Sequence, residues 1–138
     1  MAETLVFSKL HFYDTREIGI SVPAALAVGD KTIEFQAKVD PGSSLCVFPR
    51  QYGEELGFDI ESGEYQRIGT VTGGFDAFGH WATLSVLGYE YETTVYFAKD
   101  HSFNRNILGR QGWLDRVRLG LVDYDGKLYL SDYNDPTF

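Results

Sequence analysis

Four apolar residues at every second position, Ile33, Phe35, Ala37 and Val39, alternate with Glu34, Gln36 and Lys38 in the stretch TIEFQAKVD. A period of two belongs to the strand, whose successive side chains point to opposite faces of a sheet. The segment therefore reads as a half-buried strand, and a strand needs partners. Candidates lie along the whole chain. Arg16–Leu26 reads as a strand ending near Pro23, with a Gly29-Asp30 turn after it. Ser43–Phe48 reads as a second short strand. Glu64–Val71 and His80–Leu87 flank a glycine-rich tip over Thr72–Gly79, and Tyr91–Asp100 alternates through Thr93, Val95 and Phe97. Leu119–Ser131 reads as a hairpin with Asp125-Gly126 as its turn signal.

Two segments have a different character. Pro49–Gly57 predicts one or two helical turns, with Pro49 suited to the first helical position and Gly57 to a C-terminal stop. Gly109 leads into a short amphipathic helix carrying Trp113, Leu114 and Val117. The first dozen residues read as an arm that must dock on something. The expected fold is mostly β, with many short strands and one or two short helices. The ten Phe and nine Tyr, against one Met and four Pro, agree with that class. A length of 138 residues suits a single domain spanning 1–138.

Charge and cysteine usage narrow the function classes. A net charge of −8 repels phosphate backbones and anionic lipid, so nucleic acid and membrane are not expected partners. The lone Cys46 precludes an internal disulfide and fits a reducing, cytoplasmic setting. The start, MAETLVFSKLHF, lacks the features of a signal peptide, and no apolar run approaches membrane-spanning length. Cys46 reads as a small packed hydrophobe. His11, His80 and His101 are scattered without metal-site spacing, so neither a metal nor another cofactor is expected. Ser43 and Ser44 have no nearby base, and GTVTGG lacks the lysine of a phosphate-binding loop.

One ordered set of motifs remains. An apolar strand delivers Asp40 into a Gly42-Ser43-Ser44 turn; a glycine-rich hairpin follows; then comes Ile107-Leu108-Gly109. This order resembles the retropepsin-like aspartic proteases, whose signature is an apolar residue followed by Asp-Thr/Ser-Gly-Ala/Ser. Here the signature reads Val39-Asp40-Pro41-Gly42-Ser43, and the resemblance covers residues 16–130. It implies a small closed-barrel acid-protease lobe working as a two-fold homodimer on polypeptide. It also implies Asp40 as the catalytic carboxylate and Pro41, Gly42, Ser43 and Ser44 as the active-site loop. Thr72, Gly73, Gly74 and Phe75 become the flap over a bound peptide. Ile107, Leu108 and Gly109 back the active-site loops, and the terminal segments pair across the dimer.

Such chemistry needs two carboxyls sharing one proton, one as base toward water and one as acid toward the scissile carbonyl. The chain has no second Asp-Thr/Ser-Gly, so the pair must come from two copies of Asp40. Position 41 departs from the family pattern, since proline supplies neither the hydroxyl that braces the two loops nor an N–H. That leaves a second reading, a catalytically weak or inactive descendant that binds a peptide or partner, or dimerises. A third is a β-barrel unrelated to proteases with an incidental Asp-x-Gly.

Overall fold

The alternating segment is β3 (Lys31–Val39) in the computed structural model, which describes residues 1–136. It folds back on β2 (Ser21–Val28) around Gly29, whose φ of 60° suits a tight turn. β2 begins at Ser21 and runs on through Pro23, so the expected stop at that proline is incorrect. The reason lies in the pairing. Pro23 sits opposite Gln36 of β3, and the second neighbour of β2 engages only Ala24–Ala27. The missing N–H therefore falls where β2 has one neighbour, the place where a sheet tolerates proline.

The remaining strands of the larger sheet are β4 (Val47–Phe48), β5 (Glu64–Thr70), β6 (Gly73–Val86), β7 (Tyr89–Ala98) and β8 (Ile107–Leu108). Their order is β2-β3-β8-β4-β7-β6-β5, and β2 pairs with β6 as well. The expected strand over Ser43–Phe48 contracts to Val47–Phe48 plus an isolated bridge from Leu45 to Gln111. β1 (Lys9–Phe12), β9 (Val117–Val122) and β10 (Lys127–Asp132) make a second, antiparallel sheet with β10 in the middle. The N-terminal arm thus docks on the C-terminal hairpin of its own chain. That hairpin turns through Asp123–Asp125 and Gly126, whose φ is 64°.

Helix is sparse. α1 (Arg50–Glu55) is preceded by Pro49, which sits one place before the first helical residue and not at it. Gly57 ends it at φ 94°, donating its N–H to the Glu54 carbonyl at 3.0 Å. The amphipathic helix expected after Gly109 is absent: Leu114–Arg116 makes a single 3-10 turn. Gly112 at φ 99° and Trp113 at φ −136° are incompatible with helix, and Val117 is already drawn into β9. The apolar residues expected there are nonetheless buried, since Trp113 is fully enclosed and joins Leu26, Phe48, Leu84, Leu108 and Leu130 in the main core. Among the described residues no helix is long and apolar enough to cross a membrane.

Candidate active site

Asp40 leaves the end of β3 as the chain turns. Three backbone bonds fix it: Asp40 N–H donates to the Leu108 carbonyl at 2.9 Å, Val39 N–H to Ile20 at 2.9 Å, and Ser43 N–H to the Asp40 carbonyl at 3.0 Å. The Gly42 N–H donates to the Asp40 Oδ1 at 3.0 Å, so the carboxylate is held from within its own turn. Behind it, β8 slots between β3 and β4, parallel to β3 and antiparallel to β4. The chain then passes along the turn, with Arg110 N–H donating to Ser43 and Gln111 N–H to Ser44, each at 2.9 Å. Gly109 is buried at that crossing. A Cβ there would collide with the Leu45 carbonyl and lie 2.8 Å from the Ser43 oxygen.

Cys46 lies beneath the same crossing, its sulfur 3.4 Å from the Gly109 nitrogen. Burial pushes its thiol up to about 12, so it is the inert packed group expected. Ser44 is exposed, and Arg110 takes no part in the ion pairs among the described residues.

β5 and β6 form the hairpin expected opposite this turn. Thr70 pairs with Gly73, so the tip is only Val71-Thr72. The glycine-rich stretch expected as the tip, Thr72–Gly79, is largely ladder: Gly73 to Gly79 pair with Thr70 to Glu64. Between hairpin and turn lies a groove of about 830 Å³. It brings together Asp40, Gly42 and Ser43 with Thr72, Gly74, Phe75 and Ile107. Of the other residues singled out in the sequence, Pro41, Ser44 and Gly73 do not line it, and Leu108 and Gly109 are buried behind it.

No protein-family model and no curated protein sequence matches the chain. Solved structures do. A retropepsin-like aspartic protease from Rickettsia conorii superimposes with a TM-score of 0.63 at 16% identity, over 94% of this chain and 95% of that one. EIAV protease complexed with the inhibitor HBY-793 gives 0.51 at 21% identity, over 68% of this chain and 84% of that one. The fold is retropepsin-like.

In this retropepsin-like fold the groove also contains residues that sequence reading overlooked. Val47, Ile68 and Phe103 join Phe75, already expected in the flap, in a small apolar cluster with Ala77 and Tyr96, and the Phe75 and Phe103 rings lie 4.9 Å apart. This cluster gives the groove an apolar floor. Ile68 and Val47 sit on strands, each an apolar residue in a segment the sequence already marks as β. Phe103 and its neighbours Asp100, Ser102, Asn104 and Arg105 come from an irregular loop with no periodic signal.

Asp76 was also overlooked. It lies opposite Arg67 in the hairpin and accepts from the Tyr65 hydroxyl at 2.7 Å and from the Arg67 guanidinium at 3.1 Å. Those two donors, Tyr65 first, hold its carboxyl below the usual range. At the outer end of the groove loop, His101 lies 2.9 Å from Glu54 of α1, and Arg50 bridges Glu54 and Glu61.

Proposed function

We propose that the chain is an aspartic endopeptidase, a single retropepsin-like domain acting as a two-fold homodimer on extended polypeptide. The observation that carries this reading is the placement of Asp40. Its carboxylate is held by the Gly42 N–H at one side of a groove whose opposite wall is a β-hairpin. The additional pairing of β2 with β6 supports a sheet closed into a barrel behind that groove. One chain offers one such aspartate, and amide hydrolysis by this chemistry needs two.

In the dimer, two Asp40 carboxyls facing across the two-fold axis share one proton, because two like charges about 3 Å apart resist full ionisation. The ionised carboxylate takes a proton from water, and the water oxygen attacks the scissile carbonyl carbon. The protonated carboxyl donates to the carbonyl oxygen as negative charge develops there. Collapse of the tetrahedral species breaks the C–N bond, and the nitrogen leaves protonated. Gly42 positions the carboxylate, and Thr72, Gly74 and Phe75 of the hairpin cover the peptide and exclude water. The apolar floor suits an apolar side chain beside the scissile bond.

Asp40→Asn tests this. Cleavage of a mixed peptide library should disappear, while thermal unfolding and the dimer seen by sedimentation equilibrium at micromolar concentration persist. Hydrolysis by the variant at the wild-type rate, or a wild-type chain that stays monomeric at higher concentration, refutes the proposal.

Pro41 favours a second reading, a groove that binds peptides without cutting them. It lies exposed beside Asp40 and has no hydroxyl with which to brace a partner loop. Peptide binding by a folded dimer without hydrolysis would establish that reading.

A further inference from the structure

Arg105 lies in the groove with Asp40 and Ile107. Its side chain makes no ion pair and no hydrogen bond among the described residues. It precedes Leu108 by three residues, and the Leu108 carbonyl accepts from the Asp40 N–H. Three residues reach at most about 10 Å, so the Arg105 backbone lies within that distance of Leu108. Arg105, an exposed residue of the lining, thus brings an unclaimed guanidinium to the groove that holds the carboxylate.

The groove's other charged lining groups are Asp40 and Asp100. The Asp100 carboxylate is turned onto its own loop, accepting from the Ser102 N–H at 2.9 Å. That backbone N–H, and then the Ser102 hydroxyl, hold it below the usual carboxylate range, so it stays charged and engaged. Arg105 is left as the cationic lining group free to meet a ligand. Guanidinium pairs with carboxylate through two parallel hydrogen bonds, a geometry that lysine cannot copy.

We infer that Arg105 selects polypeptides carrying an acidic side chain within about three residues of the apolar residue seated on Phe75 and Phe103. This inference rests on the peptide groove of the proposed function. The chain's overall charge of −8 opposes it, since that field draws cationic peptides. At physiological salt, however, distant charges are screened over about 8 Å, whereas a direct contact partly covered by a bound peptide is screened much less. Contact therefore decides the preference.

The test uses the full-length chain and two fluorescent peptides that share one apolar core. One carries glutamate on both flanks, and the other carries lysine. Binding is measured by anisotropy with Asp40→Asn protein, so that it is read without cleavage. Glutamate peptide should bind roughly three- to tenfold more tightly than lysine peptide, and Arg105→Glu should reverse that order. Arg105→Lys should keep the sign and shrink the ratio. Equal binding of the two peptides, an order unchanged by Arg105→Glu, or no binding of either overturns the inference. Cleavage by wild type, assayed in parallel, reports on the enzyme reading alone. Selective binding without cleavage keeps Arg105 as the selector and removes the peptidase. Cleavage without charge preference does the reverse.

Discussion

The Asp40 turn and the β5–β6 hairpin face each other across one groove, yet they are built in opposite ways. The turn lies where β3, β8 and β4 meet, and its backbone is bonded to Ile20, Leu108, Arg110 and Gln111. Beneath it Cys46, Leu108 and Gly109 are buried. The hairpin has β5 at the edge of the sheet, with β6 as its one neighbour. Six of the seven β5 residues are exposed, and Val71 at the tip is fully so. Dense burial and crossed hydrogen bonds resist local opening, and an exposed two-stranded ribbon does not. On the proposed function, the first setting suits a carboxylate to be held in place, and the second a wall that admits and releases a chain.

Gly109→Ala strikes the rigid side of the groove hardest. Its methyl group would meet the Leu45 carbonyl and the Ser43 oxygen, both backbone, so the turn must shift. Overpacking against fixed backbone costs about 1–3 kcal/mol or more, and urea unfolding should show a loss of that size. Peptide cleavage should disappear with it. Unchanged stability would mean that the crossing is looser than its geometry implies.

Pro41→Thr sharpens the same side with a smaller effect. If two copies face each other, restored hydroxyls add a symmetric pair of hydrogen bonds worth about 1 kcal/mol each. The dimer should tighten several-fold by sedimentation, and kcat should rise. The monomer should lose up to about 1 kcal/mol, because proline restricts the unfolded chain. A variant with weaker association would show that the loop is adapted to its proline.

The smallest effect falls on the hairpin. Asp76→Asn loosens the tie to Tyr65 and Arg67, on an exposed ribbon. Global unfolding should barely move, while amide exchange over residues 64–78 should quicken and KM should rise. The tie also has a pH sign. The folded Asp76 carboxyl titrates below its unfolded value of 3.8. Its contribution is therefore complete above 3.8 and lost as pH falls through the folded value. Hairpin protection in wild type should decline in that acidic window, and the Asn variant should show no such decline. Equal pH profiles would place the hairpin's anchor elsewhere.

Much of this division was legible in the sequence. Alternation in Ile33, Phe35, Ala37 and Val39 located β3, and the turn after it located Asp40, because a half-buried strand must show a period of two. The hairpin walls were also legible, although not the tip: glycines suggest a turn, but register is set by pairing, and pairing carries Gly73 to Gly79 into the ladder. The helix expected after Gly109 failed for a similar reason. Trp113, Leu114 and Val117 have helical spacing, yet Gly112 takes a left-handed φ and β10 claims Val117 for a sheet. Tertiary contact overrode local pattern there, as it did at Pro23. Arg105 and Phe103 left no trace at all, since an irregular loop has no period and its place in the groove is fixed by tertiary contacts to β3, β6 and α1.

The smaller sheet sets the order of events in the making of the molecule. β1 leaves the ribosome long before its seat, Lys127 to Leu130 of β10. Synthesis proceeds at about 5–20 residues per second, so for several seconds Leu10 and Phe12 have nothing to pair with. Closing the long loop from β1 to β10 also carries an entropic cost that local hairpins such as β2–β3 avoid. The nascent chain can therefore assemble its hairpins as they emerge, while β1 waits for β10.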